Sequence, residues 1–203
     1  MIQLREHQIT VLDTLQDNRK GQVIVPTGGG KTMCMIEDAK YQFTRNNVSK
    51  TIVIVAPRIL LAHQLCEEFD EHILVNPMLQ YQILHVHSGE THHYSTTKSD
   101  AIAQWTKDNY RYNKLIFTTY HSLHRIQEAD IDVDTIYFDE AHNSIQKNFI
   151  EAVEYQSMYA NRCYFFTATP KHSKTPFKVG MNDEDIYGKV LVNVPAPKLV
   201  DEG

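Results

Sequence analysis

The sequence predicts an α/β fold in which a mainly parallel sheet carries helices on both faces. Short apolar, β-branched runs alternate along the chain with stretches whose apolar residues recur every three or four positions. This order is expected of parallel strands joined by helical crossovers. The run Thr51–Ala56 is β-branched or apolar throughout, as in a strand buried on both faces. At 203 residues the chain is long enough to form one sizeable core.

The spacing of apolar residues predicts the bounds of each helix and strand. The predicted helices are Leu4–Leu15, Lys31–Phe43, Ile59–Phe69, Ser99–Lys107, Ser122–Gln127 and Ser144–Tyr159. The predicted strands are Gln22–Val25, Thr51–Ala56, Tyr81–Val86, Lys114–Thr118, Thr135–Phe138 and Cys163–Thr167. After Pro170 the chain becomes polar, with a final strand expected at Lys189–Val194. We therefore expect one domain over residues 1–170 and a tail or linker over residues 171–203.

Composition and charge exclude several classes of protein. The net charge of −5 argues against binding nucleic acid by bulk electrostatics, so any such contact has to be local. No apolar run approaches the roughly 20 residues that span a bilayer, and the charged N-terminus lacks a signal core. The three widely spaced cysteines indicate reduced thiols. We expect a cytoplasmic protein, or one associated with a nucleoid or phage, that is not secreted and has no membrane partner.

Histidines are grouped around Ser88 and Gly89. The four members are His85, His87, His92 and His93. Neither a cysteine pair nor a His-Glu-x-x-His spacing accompanies them. We therefore interpret the group as a solvated loop rather than a metal site.

A glycine-rich run, Val25–Thr32 (VPTGGGKT), joins a predicted strand to a predicted helix. Its three glycines allow successive backbone N–H groups to face inward. The next helix presents the positive end of its dipole to the same point. Lys31 adds a cation, and Thr32 adds a hydroxyl suited to Mg²⁺. The run therefore predicts a site for the phosphates of a nucleoside triphosphate.

Two adjacent carboxylates, Asp139 and Glu140, follow the apolar run Ile136–Phe138. Buried together at a strand end they would repel each other, and a nearby cation would offset that cost. Mg²⁺ fits, because it is held through one or two carboxylates together with substrate phosphates. Asp139 is then the metal-side carboxylate, and Glu140 orients and polarises an attacking water. The alternative is a solvated strand end whose acidic groups complement a helix dipole.

Five polar or glycine-rich segments follow predicted strands. They are Val25–Thr32, Ala56–Arg58, Thr118–His121, Asp139–His142 and Thr167–Thr169. Ligands of open parallel sheets bind at the carboxyl ends of the strands. We therefore expect these segments to share one edge of the sheet and to form a single site there.

Five motifs occur in order: PTGGGKT, VAPRILLAHQ, TTYHSL, DEAH and TATP. Together they resemble the first RecA-like, ATP-binding domain of superfamily 2 (DEAD/DEAH-box-like) helicases and translocases, over nearly all of residues 1–170. The likeness is greatest to the branch of phage-recombination and restriction-enzyme DNA helicases. The resemblance implies a RecA-like P-loop NTPase fold, a three-layer sandwich with a mainly parallel central sheet. It also implies ATP and Mg²⁺ as cofactors and nucleic acid as partner, DNA in preference to RNA.

The resemblance further implies a role for each matching residue. Nucleotide would be bound by Arg5, Gln8, Thr27, Gly28, Gly29, Gly30, Lys31 and Thr32, the first two reading the adenine. The catalytic residues would be Lys31, Asp139 and Glu140, and the Mg²⁺ ligands Thr32 and Asp139. The nucleotide state would be coupled to the strand-binding surface through His142, Thr167 and Thr169. Nucleic acid would be contacted by Arg58, Thr119 and His121.

Several of these residues also allow plainer interpretations. Arg5 and Gln8 could be the polar face of a first helix, and Arg58 an exposed helix start. His142 could make only local hydrogen bonds, and the two threonines of the TATP motif could be turn-forming hydroxyls. For His121 and its neighbour Tyr120, packing is favoured over base stacking.

Phosphoryl transfer of this kind needs positive charge on the transferred group, often from an arginine. In the resembling family a second RecA-like domain supplies it, and no second such motif set follows residue 170. We therefore expect a partner domain in cis or in trans, and an ATPase that is weak or inactive in the isolated chain. Three functions stay open: an ATP-dependent helicase or translocase, a nucleotide-binding switch without a nucleic-acid role, and a motor subunit of a restriction or remodelling complex.

Overall fold

A computed structural model describes residues 2–76 and 78–196 of the chain. Its helices are α1 (Glu6–Asp17), α2 (Lys31–Thr44), α3 (Ile59–Ile73), α4 (Ser99–Asp108), α5 (Leu123–Ala129), α6 (Ile150–Tyr159) and α7 (Glu184–Tyr187). Its strands are β1 (Lys20–Ile24), β2 (Thr51–Ala56), β3 (Tyr81–Val86), β4 (Tyr94–Ser95), β5 (Asn113–Thr119), β6 (Thr135–Phe138), β7 (Arg162–Thr167) and β8 (Val190–Asn193).

The strands form one sheet in the order β4-β3-β5-β2-β6-β7-β1-β8. Every strand pairing within the described residues is parallel. Parallel neighbours require crossovers, and helices on both faces of the sheet occupy most of them, whereas β3 and β4 are joined by a loop. The predicted α/β fold, a RecA-like three-layer sandwich around a mainly parallel sheet, is therefore confirmed.

Each central strand contributes to a core on both faces of the sheet. Along β2, Ile52 and Ile54 pack with α1, α2 and α3, whereas Val53 and Val55 pack with α4, α5 and α6. Side chains of a strand alternate between the two faces, so a strand with helices on both sides has to be apolar throughout. The fully buried run Thr51–Ala56 satisfies that requirement.

The segment after the DEAH motif differs from its prediction. A helix was expected over Ser144–Tyr159, but α6 begins only at Ile150. A 3₁₀ turn at Ala141–Asn143 comes first, and the Ser144 hydroxyl donates to the Ala141 carbonyl at 2.6 Å. Such a local side-chain bond competes with helical hydrogen bonding, which explains the late start.

The region after Pro170 also differs from the expected tail. Residues 171–180 are polar and largely exposed, but Met181 and Tyr187 have no exposed surface. The final strand, expected at Lys189–Val194, is β8, and it pairs with β1. The Gln22 amide group donates to the carbonyls of Met181 and Gly188 at 2.8 and 3.0 Å. Residues 181–194 therefore pack on the domain, and residues 197–203 of the predicted tail lie outside the described part.

Within the described residues, no helix is both long enough and apolar enough to cross a membrane. The three cysteines, Cys34, Cys66 and Cys163, are buried free thiols.

Candidate functional site

The strand order brings the predicted motifs to one edge of the sheet. Strands β6, β7 and β1 are consecutive neighbours, and all three run in the same direction. Their carboxyl ends lead into the acidic pair, the TATP motif and the glycine-rich run respectively. Segments that lie more than 100 residues apart in the sequence therefore meet at this edge, as expected for a ligand site of an open parallel sheet.

The start of α1 holds the glycine-rich loop. The Arg5 guanidinium donates to the Gly28 carbonyl at 3.2 Å, and the Gln8 amide donates to the Gly30 carbonyl at 3.3 Å. Between them, the buried His7 places Nε2 2.6 Å from the Gly29 carbonyl oxygen. Three consecutive carbonyls of the loop are thus held by α1.

These three contacts, which we call the α1 clasp, fix the direction in which the N–H groups of the loop point. In a planar trans peptide the N–H points opposite to the carbonyl of the preceding residue. The N–H groups of Gly30 and Lys31 therefore point away from α1. The same amides begin α2, whose N-terminus carries the positive end of the helix dipole. The loop is shaped to receive an anion on that side.

Lys31 and Glu140 form an ion pair across the site. Their side chains are 13% and 33% exposed, so the pair is partly shielded from water. The neighbouring carboxylate, Asp139, is 8% exposed. Burial raises the pKa of Asp139 to about 6, although the nearby Lys31 opposes the shift. A buried carboxylate with so little compensation is suited to a divalent cation. Thr32 lies in the first turn of α2, next to Lys31.

Glu140 has the left-handed backbone conformation, with φ of 48°. This conformation is costly for a side chain with a Cβ and recurs at functional sites. It turns the chain sharply between β6 and the 3₁₀ turn that carries His142.

The structure brings the three predicted coupling residues together. His142 Nδ1 lies 2.8 Å from the Thr167 hydroxyl and 3.4 Å from the Thr169 hydroxyl. The Thr169 amide in turn donates to the Thr167 hydroxyl at 3.1 Å. His142 Nδ1 also lies 3.5 Å from Glu140 Oε2. Desolvation lowers the pKa of His142, so the ring is neutral near neutral pH and acts as a hydrogen-bonding group.

The residues predicted to contact nucleic acid differ in accessibility. Arg58 is exposed at the start of α3, and His121 is exposed just after β5. Thr119 is only 3% exposed, so its side chain does not present a surface to a ligand in this structure. Tyr120 is buried and donates to the Asp139 carbonyl at 2.7 Å, so packing is the better interpretation for that ring.

Two features of the site did not emerge from the sequence. One is His7, whose hydrogen bond reaches a residue 22 positions away. The other is a buried ion pair in which Arg162 donates to both oxygens of Asp38 at 2.8 Å. Asp38 is fully buried on α2 and also accepts from the Tyr137 hydroxyl. The apolar face of α2 predicted a core helix, and nothing in its spacing indicated a buried carboxylate.

The histidine group lies elsewhere, at the far end of the sheet. Its interpretation as a solvated loop is wrong for His85 and His87, which are 1% and 2% exposed. Both rings are covered by α3, which the sequence did not place over β3.

Comparison with known proteins identifies relatives of the chain. A family model described as "Type III restriction enzyme, res subunit" matches residues 1–172. No curated protein matches the chain significantly.

Three solved structures share the fold. A nuclease-deletion mutant of the Type ISP restriction-modification enzyme LlaGI, in complex with a DNA substrate mimic, has a TM-score of 0.81 and 24% identity over 98% of this chain and 20% of that one. The ATP-dependent Type ISP enzyme LlaBIII, bound to DNA, has a TM-score of 0.78 and 21% identity over 98% and 15%. The Pyrococcus furiosus Hef helicase domain has a TM-score of 0.67 and 20% identity over 97% and 39%. The chain thus spans well under half of each of these proteins.

Proposed function

The chain belongs to the family of type III restriction enzyme res subunits, and from this we propose that it is the ATP- and Mg²⁺-binding motor domain of a superfamily 2 helicase or translocase acting on DNA. One observation carries the proposal. Lys31 and Glu140, 109 residues apart in sequence, are in contact at the mouth of a loop whose amides face outward from α1. This arrangement suits the binding and hydrolysis of a nucleoside triphosphate.

The proposal assigns a role to each group of residues at the carboxyl edge of the sheet. Arg5 and Gln8 read the adenine, while the loop from Thr27 to Gly30 and Lys31 hold the phosphates. Thr32 and Asp139 hold Mg²⁺, which when bound neutralises charge on the phosphate oxygens.

The Lys31–Glu140 ion pair is the resting state of the site in this proposal. A triphosphate offers Lys31 a more highly charged partner, so Lys31 turns from the carboxylate to the phosphates. Glu140 is then free to accept a hydrogen bond from water and to orient it toward the transferred phosphoryl group. The exchange links nucleotide binding to the assembly of the catalytic residues.

In this proposal His142 couples the nucleotide site to the TATP motif. His142 Nδ1 lies 2.8 Å from the Thr167 hydroxyl and 3.5 Å from Glu140 Oε2. Any movement of Glu140 toward water therefore alters the hydrogen bonds of the TATP turn. Arg58 and His121 are exposed on the same edge and provide local contacts to the nucleic acid. Local contacts suit a chain with a net charge of −5.

A second candidate function is that of a motor subunit in a restriction complex, favoured by the family match. Two of the solved structures compared above are Type ISP restriction enzymes with DNA. In such a complex a second RecA-like domain completes the charge around the phosphates. Native mass spectrometry of the complex purified from its source would identify that partner.

The proposal is tested by nucleotide binding. Lys31→Ala is expected to abolish binding of a fluorescent, non-hydrolysable ATP analogue in the presence of Mg²⁺. Lys40→Ala is the matched control, because Lys40 lies on the same helix and pairs with the partly buried Glu37. Unchanged affinity in Lys31→Ala would remove the phosphate site from the glycine-rich loop.

The same preparations measure hydrolysis. The isolated chain is expected to show weak ATPase activity, with little stimulation by DNA. Robust turnover by this chain alone would contradict the requirement for a partner domain.

A further inference from the structure

Three histidines pack together between α3 and the carboxyl end of β3. His63 lies on α3, His85 on β3, and His87 directly after it. Their ring centroids are separated by 5.0 to 5.4 Å. One ligand atom from each residue lies within 4.8 Å of the other two. Zinc–nitrogen bonds of about 2.0–2.1 Å set the nitrogens of a tetrahedral site about 3.3 Å apart, so small side-chain rotations close the trio around an ion.

The deepest two rings are already close to that spacing. His85 Nδ1 lies 3.0 Å from His87 Nε2, and the Gly89 amide donates to His87 Nδ1 at 3.0 Å. The neutral His87 therefore carries its proton on Nε2 and donates it to His85. A cation between the rings takes the place of that proton, which moves to His87 Nδ1 and displaces the Gly89 amide.

Two of the three rings carry a buried nitrogen without a partner among the described residues. These atoms are Nε2 of His63 and Nε2 of His85. A buried polar atom that makes no hydrogen bond loses its hydration without compensation. Native proteins contain few such atoms, and an unplaced ion is a common reason for them. A ligand in the cluster gives His63 Nε2 the partner it lacks.

The protonation state of the cluster suits a metal. Burial lowers the pKa of His85 to about 3, and the neighbouring imidazoles add to the shift. Burial also lowers the pKa of His87. Near neutral pH both rings are therefore neutral and keep the lone pairs that metals bind.

A cavity of about 440 Å³ opens beside the cluster. His63 and His85 line it together with Glu67 and Glu90. The cavity provides a path by which an ion can enter and room for a fourth ligand such as water. Oxygen and nitrogen donors around an open position suit zinc and the later first-row metals.

We propose that His63, His85 and His87 form a binding site for a divalent transition-metal ion, with Zn²⁺ as the matching species. The ion joins α3 to β3 and so fixes α3, the helix that follows Arg58, against the sheet. A second donor set, Cys66, His85 and His93, shares only His85 with the first. The 3.0 Å approach of His85 Nδ1 to His87 Nε2 favours the first set, as does the His63 Nε2 that has no partner among the described residues.

The proposal is tested by titrating the chain, free of any histidine tag, with Zn²⁺ in an isothermal calorimeter. Excess Mg²⁺ is present to occupy carboxylate sites such as Asp139. One saturable Zn²⁺ ion per chain is expected, together with a rise in the melting temperature. His63→Gln is expected to weaken binding at least tenfold, since loss of a residue that only orients a ligand costs about 10–100-fold.

Cys66→Ser is the matched control, three residues along the same helix, and is expected to leave the Zn²⁺ affinity unchanged. Co²⁺ in place of Zn²⁺ is expected to give a tetrahedral absorption spectrum without a thiolate charge-transfer band. The backbone amide of Gly89 is expected to shift in NMR spectra on Zn²⁺ addition.

Absence of saturable Zn²⁺ binding would overturn the site. Wild-type affinity in His63→Gln with loss in Cys66→Ser would overturn the assigned ligands.

Discussion

Two glycines of the glycine-rich loop have the left-handed backbone conformation, yet their surroundings differ. Gly28 has φ of 82° and open space where a Cβ would stand. Gly30 has φ of 76°, and a Cβ there would lie 2.2 Å from the Gln8 side-chain nitrogen. The conformation alone costs about 1–2 kcal/mol for a residue with a Cβ. At Gly30 the substitution also forces Gln8 away from the carbonyl that it binds.

We therefore expect Gly30→Ala to lower the free energy of unfolding more than Gly28→Ala. The difference should be about 1 kcal/mol, the typical net value of the lost Gln8 hydrogen bond. Urea unfolding of both variants, repeated in a Gln8→Ala background, measures it. If the difference persists without the Gln8 side chain, the clash is not its cause.

The raised pKa of Asp139 predicts that the free energy of unfolding depends on pH. Its pKa rises on folding from 3.8 to about 6, because burial disfavours the charged form. Below pH 3.8 the carboxyl is protonated in both states and costs nothing. As the pH rises toward 6, the unfolded chain loses its proton first, so this group lowers the free energy of unfolding. Above about pH 6 the full cost is present.

Asp139→Asn removes that dependence, because the amide mimics the protonated acid. We expect the variant to match the wild type at the acidic end and to be more stable at neutral pH by about 3 kcal/mol, the equivalent of two pKa units. Urea unfolding across this pH range, without nucleotide or Mg²⁺, measures the difference. Parallel curves for the two proteins would show that Asp139 is not the titrating group.

At the scale of elements, α2 is tied to the sheet by a single carboxylate. Asp38 receives two hydrogen bonds from Arg162 of β7 and one from Tyr137 of β6. These strands end in the TATP motif and the acidic pair, and α2 begins at Lys31. The network therefore sets the position of α2, which follows the glycine-rich loop, relative to both strands.

Removing one partner of a buried ion pair leaves the other charge without compensation. We expect Arg162→Ala to lower the free energy of unfolding by about 3–5 kcal/mol. Arg125→Ala is the matched control, because Arg125 pairs with Glu128 at the surface and such pairs contribute about 0–1 kcal/mol. Equal effects of the two substitutions on urea unfolding would mean that the buried network adds no special stability.

At the scale of the whole molecule, the sheet extends beyond the last recognisable motif. Strand β8 covers the outer edge of β1, the strand that leads into the phosphate loop. The close approach depends on Gly21, because a Cβ there would lie 2.3 Å from the Leu191 side chain. Met181 and Tyr187 add fully buried side chains on one face.

We expect a fragment of residues 1–170 to be far less stable than residues 1–196. Burying each of these two side chains contributes about 1.5–3 kcal/mol, and a whole domain has only about 5–15 kcal/mol to lose. Circular dichroism with urea unfolding compares the two fragments. If residues 1–170 unfold at the same urea concentration as the longer fragment, the domain ends at Pro170 as the sequence suggested.

Local patterns in the sequence predicted most elements and the family of the chain. The alternation of apolar runs gave the strands, and the five motifs in order gave the RecA-like fold, which the family model supports. The predictions failed where a contact with another residue decided the local structure. The turn before α6 depends on the Ser144 hydroxyl, which bonds back to Ala141 and lies 2.7 Å from the Tyr187 hydroxyl.

The sequence by itself determined the motifs on which the proposed chemistry rests, because a glycine-rich loop and a pair of carboxylates each consist of neighbouring residues. Only the tertiary structure decided what surrounds that chemistry. The clasp of His7 on the loop, the bond of Arg162 to Asp38 and the burial of His85 beneath α3 all join residues 22 or more positions apart. These contacts depend on the strand order. The spacing of apolar residues predicts which face of a helix or strand is buried, but it does not identify the residues that pack against that face.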